Sequence, residues 1–182
     1  AKQTSVTIKG DLGDANDKLY VAVGDSDAAG GQTYDLSGLK TASGDVTTIE
    51  LAGSKSADTT VKLTDGDDVV KITESGGYSN TNKIVISDSA TGGTDQLFID
   101  TDASDSVSIT NLSLTNIEEI QVDDTVAVSI NASAVSGQSI KIIGTAANDV
   151  LGLTGTDNAD TIDLSNLDNK HAGNDANLKI TG

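Results

Sequence analysis

The stretch SIKIIGTAANDVLGLTGTDNADTIDLSN, Ser139 to Asn166, holds the pattern that decides the fold of this 182-residue chain. Ser139 to Ile143 and Val150 to Leu153 are short pieces rich in Val, Ile and Leu, the composition of a strand with one face buried. Between them lies Thr145-Ala-Ala-Asn-Asp149, and after them Thr156-Asp-Asn-Ala-Asp160 leads into Thr161 to Leu164. Each turn ends in Asp, then one residue, then an aliphatic residue. Asn and Asp favour such turns because their side chains bond the local backbone. The reading is strand, polar turn, strand, repeated.

Outward from this stretch the same grammar recurs. Ser5 to Ile8, Lys18 to Val21, Thr47 to Leu51, Thr60 to Leu63, Val69 to Ile72, Lys83 to Ile86, Gln96 to Ile99 and Ser106 to Ile109 all read as strands. So do Glu119 to Val122, Val126 to Ile130 and Leu178 to Thr181. Turns of the same kind occur at Leu12 to Leu19, Thr64 to Val70, Thr91 to Leu97 and Ala172 to Leu178. SVTIKGDLGDANDKL at Ser5 to Leu19 is echoed by SIKIIGTAANDVL at Ser139 to Leu151, and NLKITG at Asn177 to Gly182 reads as the opening of a third copy. Repetition of strand and turn without helix predicts an all-β, elongated, parallel β-roll or β-solenoid, with no helix beyond about two turns. It also leads us to expect a segment of a longer repetitive protein.

Composition narrows the function. With 36% hydrophobic residues and only Tyr20, Tyr34, Tyr78 and Phe98 as aromatics, the chain suits a thin aliphatic core between stacked strands. It has no Cys, so disulfides do not staple it. Twenty-eight acidic residues against 11 basic ones give a net charge of -17, which opposes compaction unless cations are bound. The same balance excludes a nucleic-acid partner, since phosphate binding needs clustered Lys and Arg. No apolar run reaches the roughly 20 residues of a membrane-spanning helix.

The turns supply what a hard cation takes: carboxylate, Asn and backbone oxygens, about six to eight in all for calcium. The candidate ligands are Asp14, Asn16 and Asp17 in the first turn, Asp67 and Asp68 in the second, and Asp95 in the third. Asn148 and Asp149, Asp157 and Asp160, and Asn174 and Asp175 follow in the others. A single turn of this kind is ordinarily no more than a turn. Their recurrence before aliphatic residues argues for calcium.

Over Ala90 to Asn166, with ATGGTDQL, NLSLTNIEEIQV and the stretch quoted at the outset, the chain resembles calcium-binding RTX-type bacterial surface-layer proteins and related RTX adhesins. The glycine-rich, Asp-containing repeat of that family builds a calcium-binding β-helix. The likeness is weaker over Ala1 to Ser89, which divides the chain into a part with degenerate repeats, 1–89, and a part with clearer calcium turns, 90–182. It implies calcium between turns, type I secretion, an extracellular place on the bacterial surface and assembly with other copies into a lattice or fibre. A cell-surface polysaccharide would be held through a part of the protein outside this chain. No strict nine-residue tandem run is present.

Catalysis finds little support. Glu118 and Glu119 are neighbours on a strand and face opposite sides, which suits no paired acid and base. His171 is the single histidine, without Cys partners for a zinc set. The expectation is a structural protein and not an enzyme. An adhesin is the second reading, although Thr spacing is irregular in the sequence. A β-helix carbohydrate-active enzyme, short of aromatic platforms, is a distant third.

Overall fold

Alternation in the sequence becomes alternation in space. In β6 (Asp67–Ile72), Asp68, Val70 and Ile72 are buried while Asp67, Val69 and Lys71 face outward. The computed structural model describes residues 5–23, 31–52, 57–73, 82–89, 92–100, 106–123, 127–144, 149–156, 160–166 and 177–181. The chain is an all-β solenoid of about five turns, as the repeats predict.

Every strand pairing is parallel. One sheet runs β1 (Ser5–Asp11), β3 (Gln32–Lys40), β5 (Thr59–Lys62), β7 (Ile84–Ser87) and β10 (Leu112–Thr115). A second runs β2 (Lys18–Val23), β4 (Val46–Leu51), β6, β8 (Gln96–Asp100), β11 (Glu119–Asp123) and β13 (Lys141–Gly144). A third consists of β9 (Ser106–Ile109), β12 (Ala127–Asn131), β14 (Val150–Thr154) and β15 (Asn177–Thr181). The first two sheets have strands on both sides of residues 89 and 90, and among the described residues the third sheet begins with β9.

Parallel strands need a crossover, and here each crossover is the rest of a coil. Coil length varies: equivalent positions are 28 apart at Asp17 and Asp45, 27 at Asp68 and Asp95, and 22 at Glu119 and Lys141. Inside, aliphatic side chains stack from coil to coil. Ile49, Val70, Leu97, Ile120 and Ile142 form one column of the second sheet, each 0% exposed. Each such burial contributes about 1.5–3 kcal/mol.

Three differences from the sequence reading are informative. β3 carries no expectation from the sequence, and the strand region read from Ser106 through NLSLTNIEEIQV divides into β9, β10 and β11. In β3 the register slips against β1, with Thr7 beside Asp35 but Lys9 beside Gly38, so the inward residues Tyr34, Leu36 and Leu39 break strict alternation. Conversely, Thr161 to Leu164 is not a strand. Its neighbour is a 3-10 turn, Ala132–Ala134, with the residues after it: Gly137 N donates to Asp163 O, and Asp163 N donates to Ser136 Oγ. A ladder cannot continue without an extended partner. The two echoed stretches also lie at different corners, β1 and β2 joining the first sheet to the second, β13 and β14 the second to the third.

Candidate functional site

At the corner where the first sheet hands over to the second, carboxylates stack. Asp17 N donates to Asp45 Oδ1 at 2.9 Å, Asp68 N to Asp95 Oδ1 at 3.0 Å, and Asp95 N to Glu118 Oε2 at 2.8 Å. Each carboxylate thus accepts from the N–H of the coil before it, where the chain bends out of the ladder and a backbone donor needs a partner. Close coil packing fixes the spacing. Gly93, at φ 91°, lies so near Gly66 that a Cβ there would sit 2.3 Å from the Gly66 carbonyl oxygen.

The second oxygen separates the members. Asp45 Oδ2 accepts from Ala42 N at 2.6 Å, and Asp68 Oδ2 from Thr64 N and Oγ1 at 2.9 and 2.8 Å. Asp68 Oδ1 and Asp95 Oδ2 have no well-formed hydrogen bond and are buried, and so is Thr47 Oγ1. Burial, aided by the nearby Asp68 charge, pushes the Asp95 carboxyl up to about 8. Burial raises Asp68 to about 6 against the opposing bonds from Thr64 and the nearby Thr47 hydroxyl. Asp88 adds to both shifts, and Glu118 to that of Asp95.

The twelve candidate ligands are scattered over the fold. Asp68 and Asp95 come together on adjacent coils. Asp17 is half-buried against Asp45, while Asp14 and Asn16 are exposed, Asn16 at φ 73°. Asp67 faces outward and accepts from Thr94 N at 2.8 Å. Asp149 is buried at the other corner, before β14, and Asp160 is exposed with both oxygens held by Thr156. Asn148, Asp157, Asn174 and Asp175, like His171, lie outside the described residues.

Sequence reasoning missed Thr47, Asp45, Asp88 and Glu118 as members of this corner. Asp45 follows Gly44, as the turn pattern requires, but the inward slot two residues later holds Thr47 instead of an aliphatic side chain. Register places that Thr beside Asp68. Glu118 and Glu119 do diverge: Glu118 bonds the backbone of Asp95, and Glu119 Oε1 pairs with Lys141 Nζ at 2.9 Å on the outer face.

No family model, curated protein or solved structure matches the chain. The resemblance to RTX-type proteins therefore rests on the sequence stretches between Ala90 and Asn166 alone. Among the described residues no three His, Cys, Asp or Glu side chains form a ready metal-holding group. The orphaned atoms nevertheless fit a hard cation chemically, because all three are oxygens and two belong to carboxylates.

Proposed function

We propose that this chain is a structural solenoid of a calcium-dependent, self-assembling protein on the bacterial cell exterior, with no catalytic step of its own. The observation that carries the reading is the distribution of charge. Carboxylates of successive coils are stacked at one corner, with Asp45, Asp68 and Asp95 buried there, whereas the ion-paired lysines, Lys62, Lys71 and Lys141, reach Asp35, Asp100 and Glu119 from outward-facing strand positions. On a chain of net charge -17 this arrangement favours a bound cation that neutralises the corner and stabilises the stack. RTX-type surface-layer proteins offer the matching use of such a solenoid, as a lattice or fibre unit exported by type I secretion.

The test is thermal melting and sedimentation of the protein in millimolar calcium and in chelator. A higher melting temperature and larger species with calcium are expected; superimposable curves defeat the reading. An adhesive segment is favoured by one further observation. Coils of unequal length bring Thr33, Thr60, Val85 and Ser113 into one cross-strand row, hydroxyl-bearing except at Val85, which the sequence spacing hides. Binding of monomeric protein to a glycan surface, without calcium-driven assembly, would place that reading first.

A further inference from the structure

Three buried oxygen atoms among the described residues have no well-formed hydrogen bond, Thr47 Oγ1, Asp68 Oδ1 and Asp95 Oδ2, although the Thr47 hydroxyl lies near enough to the Asp68 carboxylate to favour its ionised form. They are neighbours. Thr47 stands beside Asp68 in the β4–β6 register, and Asp68 N bonds Asp95 Oδ1, so the three residues occupy successive coils. Thr47 and Asp68 are 0% exposed and Asp95 is 1%. Leaving such groups buried without partners is costly, and two adjacent carboxylates make it more so.

The remaining bonds show that these carboxylates are held in position. Asp68 Oδ2 is fixed by Thr64 N and Oγ1, and Asp95 Oδ1 by Asp68 N, so each presents its other oxygen with its orientation set. Asp45 and Asp160 are different, because both oxygens of each are already engaged by backbone or hydroxyl donors. The negative field at the pair is deepened by Asp88, and at Asp95 by Glu118 as well. The ion-paired lysines reach other carboxylates.

We propose that Thr47 Oγ1, Asp68 Oδ1 and Asp95 Oδ2 are protein ligands of one enclosed calcium site on the inner side of the corner between the first and second sheets. The inference rests on the calcium-dependent reading above and narrows it. The ion is held inside the stack across three coils, where an outward turn such as that of Asp160 contributes none of these ligands. Calcium takes about six to eight oxygens, so backbone carbonyls and water complete the shell. A hydroxyl among the ligands, Thr47, is a feature the turn motif does not contain.

The experiment is calorimetric titration of calcium into the chelator-stripped full chain, wild type and Asp95→Asn, Asp68→Asn, Thr47→Val and Asp160→Asn. Affinity of the tightest calcium is expected to fall at least about tenfold in the two inner Asp variants and several-fold in Thr47→Val, with Asp160→Asn unchanged. Undiminished binding in both inner Asp variants overturns the site while leaving calcium dependence intact. Wild type that binds no calcium overturns both. Should the Asp variants fail to fold, Thr47→Ser against Thr47→Val decides: Thr47→Ser, which keeps the hydroxyl, is expected to bind calcium as wild type does while Thr47→Val loses affinity several-fold, and equal affinity in the two overturns the site.

Discussion

The backbone N–H of Asp68 donates to Asp95 Oδ1 at 3.0 Å, although the two residues are 27 positions apart. One carboxylate thereby orients the backbone that carries the next, and both are buried. The bond secures the stacking of β6 on β8 at the cost of bringing two acidic groups together in a poorly solvated place. The solenoid resolves this with a counter-ion or with protons, and the two have opposite consequences for pH.

Stripped of divalent cations, the protein should lose stability as pH rises from acid to about 8. Asp95 titrates at about 8 when folded, against an ordinary 3.8, because burial and the Asp68 charge disfavour its ionised form. Over that range the folded state holds a proton that the unfolded chain has released. Stability is therefore fullest below the unfolded value and falls by at most about 1.4 kcal/mol per pH unit for one proton. Asp68, raised to about 6, steepens the lower part of the slope. Urea unfolding of wild type and Asp95→Asn over this range checks the sign. The variant should lose the limb between about 6 and 8 and exceed wild type at the alkaline end; a parallel pair of profiles would refute the assignment.

Asp45→Ala tests the structural side of the same corner. Asp45 is 1% exposed and accepts from Asp17 N at 2.9 Å and Ala42 N at 2.6 Å, so its loss strands two backbone donors. A cost of about 1–3 kcal/mol follows. It should be independent of calcium, since neither oxygen is free to ligate. A strong calcium dependence of the cost in urea titrations would contradict that.

Gly93→Ala addresses coil spacing. The new Cβ would meet the Gly66 carbonyl oxygen at 2.3 Å, in a residue already at φ 91°. Backbone cannot yield as a flexible side chain would, so β6 and β8 must separate locally. Loss of soluble protein, or a melting temperature well below wild type, is expected. An unchanged melt would show that this corner can open without consequence.

How far the sequence could be read depended on range. Ser106 to Ile109 and Glu119 to Val122 announce themselves by alternation, a local property set by the pleat. Three features escape it. Asp35, Ser37 and Gly38 give β3 the composition of a turn, and its bulge moves Leu39 off the expected face. Thr161 to Leu164 has strand composition but lies against a 3-10 turn. Whether an Asp in a turn is solvated, like Asp14, or sealed in, like Asp68, depends on which residues of the neighbouring coil cover it. That covering residue is Thr47 in one case, and nothing near Asp68 in the sequence points to it.

The last prediction sets two neighbours against each other. Glu119 and Ile120 are adjacent on β11, one outward and paired with Lys141 at 2.9 Å, the other 0% exposed in the aliphatic column between Leu97 and Ile142. The Lys141 side chain is 45% exposed, so water screens the ion pair, and Glu119→Gln should cost below about 1 kcal/mol. Ile120→Ala removes buried methyl and methylene groups and leaves a cavity that flanking coils fill poorly, for a cost of about 2–5 kcal/mol. In a stack where each coil contacts chiefly its neighbours, the damage at Ile120 also weakens coupling between β8 and β13. Urea unfolding of the Ile120 variant should then broaden or split, while the Glu119 variant stays superimposable on wild type. Equal costs for the two would mean that the aliphatic column is not what holds the coils together.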